Sequence, residues 1–149
     1  TRPQLLMGSA LVNMIEGDIE TAHEHLIDAQ TYVDERKMKH VTPFIHLAMG
    51  KVYMAKGEVD IAVEQFSKSE QSALDLGYRP TIWQAQVGLA QALHISDHHA
   101  DADEKRGQAL AVVSEIESSF EDQELRDVFM TNAMNKLNIE QSVAADSAD

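Results

Sequence analysis

Pro43 to Leu76 reads PFIHLAMGKVYMAKGEVDIAVEQFSKSEQSALDL, and its punctuation decides the fold. A proline opens the stretch at a place where its missing N–H costs a helix nothing. Gly57 interrupts it with a residue suited to the left-handed conformation that ends a helix, and Glu58 follows where a negative charge favours the next helix start. Beyond the glycine, Val59, Ala62, Phe66, Ser69 and Ala73 recur at helical spacing and form one stripe of apolar and small residues. The stretch predicts two helices joined by a tight turn, with Thr42 as the N-cap of the first.

Forty residues earlier the same pattern stands in PQLLMGSALVNMIEGDIETAHEHLIDAQTYVDER from Pro3. Pro3 pairs with Pro43, Val12 with Val52, Gly17 with Gly57, Ile19 with Val59, Ala22 with Ala62, Leu26 with Phe66 and Ala29 with Ser69. A more worn copy, WQAQVGLAQALHISDHHADADEKRGQALAVV, starts at Trp83. In it Leu89, Ala90 and Leu93 take core positions of a first helix, Ala102 and Ala109 continue the small-residue series, and Asp97 stands where the glycines stood. Self-similarity at a fixed period is the signature of stacked supersecondary units. The chain therefore reads as all-α, an α-α superhelix of three helical pairs over residues 3–40, 43–78 and 80–119. A C-terminal capping helix over 121–137, with Leu125, Val128, Phe129, Ala133 and Leu137 on one face, closes a single domain of residues 1–137. The acidic stretch 138–149 is expected to be a mobile tail. Trp83 is expected to plug the junction between the second and third units.

Composition narrows the function classes. A net charge of -13, with 12 scattered Lys and Arg residues, excludes a phosphate-backbone reader and steers the surface toward basic partners. With no cysteine there is no disulfide, thiolate metal site or Cys nucleophile. No apolar run approaches the roughly 18 residues of a membrane span. The chain begins at Thr1 without a signal-like segment, and the expectation is a cytoplasmic domain cut from a longer protein.

The stretch HISDHHADADE, His94 to Glu104, concentrates three histidines and acidic residues. His94 and His98, with His99, Asp97, Asp101 or Asp103, have the donor types of a zinc or nickel site. The repeat register instead makes Ser96 and Asp97 a solvated interhelical turn, with Asp97 capping the next helix, and this reading assigns no metal. His23 and His25, two apart on one helix, are expected at the surface. Gly-rich phosphate loops, GxSxG and HExxH are missing from the sequence, so neither a catalytic residue nor a cofactor is assigned.

The residues Leu47-Ala48-Met49-Gly50, Tyr53, Gly57, Ala62, Phe66 and Ser69 resemble the tetratricopeptide repeat. The common form repeats every ~34 residues, so a period of forty means second helices longer by almost two turns. Long-period arrays of this kind resemble those of bacterial maltose-activator-type regulators and of multidomain ATPases, nucleotide cyclases and kinases. Leu125, Arg126 and Phe129 are similar to the closing run of such arrays. Leu6 and His46 depart from the family where it often has Trp, and Asn13 where it has Tyr.

The resemblance implies a noncatalytic scaffold for signalling or transcription regulation, with a concave groove lined by first helices. Carried over by offset, the groove residues are Met7, Leu11 and Met14 from the first unit, Phe44, Leu47, Lys51 and Met54 from the second, and Gln84, Gln91 and His94 from the third. The implied partner is a protein or peptide, or another domain of the parent chain, with no direct nucleic-acid or membrane contact. Two alternatives stay open, a self-association or spacer module that dimerises through the solenoid ends, and a sensor for a peptide or small ligand.

Overall fold

A computed structural model describes residues 18–148, with side chains described as far as residue 135. Six helices occupy that span: α1 (Ile19–Arg36), α2 (Thr42–Ala55), α3 (Val59–Leu76), α4 (Arg79–Ile95), α5 (His99–Ser118) and α6 (Gln123–Ala148). There is no strand among the described residues. Each helix packs on its neighbours in the chain, α2 also touches α4, and α6 covers α4 and α5. Helices that meet mainly their sequence neighbours, with first helices side by side, form the nearest-neighbour arrangement of a helical repeat superhelix.

The forty-residue spacing is legible in the burial. Ala22, Ala62 and Ala102 are all buried, as are Ala29, Ser69 and Ala109, and again Val33, Ala73 and Val113. Small side chains at these second-helix positions let neighbouring backbones approach. Ser69 is tolerated there because its hydroxyl donates to the Pro43 carbonyl at 2.8 Å, tying α3 to the first turn of α2. Cores form between units as well as within them. Leu26, Val33, Ile45 and Val52 join α1 to α2, and Leu47, Ala62, Phe66, Ala85 and Leu89 join α2, α3 and α4.

Turn geometry repeats with the same spacing. Gly57 closes α2 at φ 79° and Asp97 follows α4 at φ 65°, both left-handed. Asp97 thus does the backbone work of the glycine rather than capping α5, whose N-cap is His98 with no side-chain hydrogen bond. The substitution is tolerated because the short polar side chain of Asp, like Asn, enters the left-handed region at low cost. Lys37 and Gly77, again forty apart, end α1 and α3 in the left-handed region at φ 53° and 74°. The next position in that series, Glu117, is helical, so α5 runs 20 residues against 18 for α1 and α3. Thr42 is the first helical residue of α2 rather than its cap. The cap position is Val41, and Pro43 occupies the first turn.

The end of the array differs most from the sequence reading. The capping helix runs from Gln123 to Ala148 and so takes in the stretch assigned to a tail. Its inner face is Phe129, Met130, Ala133 and Met134, packed on Trp83, Val87, Ala109 and Val113. Leu125 and Val128, expected on that face, are 58% and 53% exposed. Trp83 correspondingly fills the junction of α4, α5 and α6, at the cap and not between the second and third units.

Candidate functional site

Where α2 and α4 run side by side over α3, the chain leaves a cavity of about 130 Å³ lined by Lys51, Met54, Phe66, Gln84, Val87, Gly88 and Gln91. Its origin is a packing rule visible in three residues. The buried Phe66 ring lies between Gly50 of α2 and Gly88 of α4, and a Cβ at either glycine would come within 2.5 Å of the ring. Two helices can therefore close on one aromatic side chain, and the ring becomes the floor of the gap above it. Met54 and Val87 make apolar walls, while Lys51, Gln84 and Gln91 stand half-buried at the rim.

The size decides what can fit. Small-molecule and cofactor pockets usually span about 300–1,000 Å³, so a cavity of about 130 Å³ has the size of a side chain rather than of such a ligand. Of the residues named from sequence, Lys51, Met54, Gln84 and Gln91 meet here. Leu47 is 9% exposed and belongs to the core beneath. Phe44 lies away from the cavity at the start of α2, stacked on Tyr78 at 5.8 Å. His94 sits beyond the other end and packs edge-on against His99, ring centroids 4.5 Å apart. Met7, Leu11 and Met14, with Leu6, Asn13 and Gly17, lie outside the described residues.

Beside the groove two polar links fix the helices that frame it. Glu70 of α3 accepts from Lys105 of α5 at 2.9 and 3.0 Å and from the Gln86 amide of α4 at 3.0 Å. At the other side, Lys56 donates to His23 Nδ1 at 2.9 Å and pairs with Glu20 at 3.2 Å. With Nδ1 accepting, His23 carries its proton on Nε2, which reaches the Tyr53 hydroxyl at 3.1 Å. His23 is thus a buttress between α1 and α2 and not the surface residue expected. His46 bonds Gln65 through Nδ1 at 2.8 Å.

These links join residues 16 to 36 apart in sequence, and no local pattern announces them. Gly88 did leave a signal, a glycine inside a helical pattern where only close approach justifies it. Among the described residues no group of three or more His, Asp and Glu side chains converges to hold a metal ion. No helix among them is long and apolar enough to cross a membrane. The chain matches no protein-family model, no curated protein and no solved structure.

Proposed function

We propose that this domain is a noncatalytic, tetratricopeptide-like interaction module that grips a segment of a protein partner across α2 and α4. The observation that carries this reading is the side-chain-sized seat on Phe66, walled by Met54 and Val87 and rimmed by Lys51, Gln84 and Gln91. An apolar anchor of the partner fills the seat, and the amide side chains at the rim bond its backbone, which supplies orientation as well as affinity. A net charge of -13 favours a basic segment around the anchor. The parent protein in this reading is a larger signalling or regulatory chain.

Selection from a random peptide library displayed on phage, followed by binding of the selected peptides to Met54→Ala/Gln91→Ala, tests the proposal. Selected peptides should share an apolar anchor and lose affinity for the variant while its helical circular dichroism is kept. Peptides that bind the variant and the parent chain equally would place recognition elsewhere.

Leu125 and Val128, more than half exposed on α6, favour a second reading, self-association through the capped end. Light scattering over a dilution series decides it. A dimer that Leu125→Glu/Val128→Glu dissociates supports self-association, and a monomer at every concentration ends it.

A further inference from the structure

The turn between α4 and α5 brings two imidazoles together across a gap the sequence alone could not close. His94, in the last turn of α4, and His99, the first residue of α5, direct their Nδ1 atoms at one another 3.2 Å apart. On its opposite side, His99 Nε2 faces the Asp97 carboxylate at 3.6 Å. The pairing is His94 with His99, not His94 with His98, whose Nδ1 is engaged by the Ser96 hydroxyl at 3.2 Å. What closes the gap is the left-handed backbone at Asp97. It reverses the chain in the fewest residues and swings the start of α5 back over the end of α4.

Two nitrogen ligands of one tetrahedral ion, at bond lengths of about 2.0–2.1 Å, lie about 3.3 Å apart. The Nδ1 separation in the protein is 3.2 Å, with the ring planes at 69° to one another. Without an ion, one Nδ1 carries a proton and donates it to the other. With an ion between them both rings are Nε2–H tautomers, the Nε2 of His99 facing the Asp97 carboxylate and that of His94 buried without a hydrogen-bond partner among the described residues. The Asp97 carboxylate, 3.6 Å from the His99 Nε2, stands on the side from which a carboxylate fixes a ligand ring once it closes to hydrogen-bond distance. Asp101, Asp103 and Glu104 keep the surroundings negative, and His99 at 52% exposure leaves room for water in the remaining coordination positions.

From this geometry we infer that His94 and His99 form a bis-imidazole site for a borderline divalent cation, oriented by Asp97 and completed by water. Imidazole donors suit zinc, nickel and copper, with Cu²⁺ held tightest. The site is independent of the peptide groove and stands or falls without it.

Zinc titration of the untagged chain by calorimetry, with histidine ¹⁵N–¹H correlation spectra recorded in parallel, tests the inference. One equivalent of Zn²⁺ should bind and move the Nδ1 resonances of His94 and His99 together. His94→Asn and His99→Asn should each abolish that isotherm, while His98→Asn leaves it unchanged. Asp97→Asn, which keeps the left-handed turn, should weaken binding about tenfold. An isotherm that survives in His94→Asn and His99→Asn, resonance shifts confined to other histidines, or no uptake by the wild-type chain would each overturn the site. The wild-type spectra decide the matter even if a variant loses helicity.

Discussion

Phe66 and Arg106 stand forty residues apart on equivalent second helices, and the two units built round them pack by different rules. In α3 the ring is 2% exposed and wedged between two glycines, so helices on both sides close on it. In α5 the same position holds a half-buried guanidinium whose Nε has no hydrogen-bond partner among the described residues. There the apolar contact comes from Trp83 and from the inner face of α6. A repeat backbone survives a change of its central side chain when another element covers the unit, and the third unit has the cap to do so.

The largest test of this contrast is Phe66→Ala. It should cost about 3–5 kcal/mol, the usual range for emptying an aromatic core site, read as a fall in the denaturation midpoint. Next comes Lys105→Ala, which leaves Glu70, 13% exposed, with only the Gln86 amide among the described residues. A loss of about 1–3 kcal/mol is expected from stranding a charged acceptor, and a change below the error of a urea melt would make the link ornamental. Gly88→Ala should destabilise too, since overpacking costs about 1–3 kcal/mol against about 1 kcal/mol of improved helix propensity. Combining it with Phe66→Leu should recover part of that loss, and strict additivity would show that the ring was not the obstacle.

At the third unit the sign reverses. Arg106→Leu should raise the melting temperature, by about 1 kcal/mol in stability, because an unpartnered polar group leaves a half-buried position. A fall would mean that the guanidinium is held by something beyond the described residues.

The smallest effect belongs to Asp18, the N-cap of α1, which accepts from the Thr21 backbone N–H at 3.1 Å. Hydrogen bonding from the Thr21 side chain, then from its backbone, holds the Asp18 carboxyl below its ordinary value. A carboxyl lowered on folding contributes stability above its unfolded value and loses it as pH falls through the folded one. The difference between wild type and Asp18→Ala should therefore be present at neutral pH and vanish in acid, as thermal melts across that range would read directly.

The repeat was legible because helix stripes and turn residues are local, and forty-residue self-similarity needs no knowledge of contacts. Lys51, Met54, Gln84 and Gln91, four of the seven residues lining the cavity, were named by offset from the tetratricopeptide resemblance, whereas the Phe66 floor needs Gly88, a residue of the next unit. On the capping helix Phe129 and Ala133 were read on the correct face, but Leu125 and Val128 were placed there instead of Met130 and Met134, since either pair fits an apolar stripe. Periodicity gives a stripe, and only the partner surface chooses between two.

By itself, then, the sequence determined an all-helical chain of stacked pairs, with its turns at Gly57 and Asp97 and its small residues at the crossings. Tertiary structure alone decided that Phe66 seats between two glycines, that Glu70 meets Lys105 across 35 residues, and that His94 finds His99 instead of His98. The physical reason is common to all three. Helix phase is set within a few residues of chain, but the partner of a side chain is set by how two helices cross, and that angle is a property of the whole packed surface.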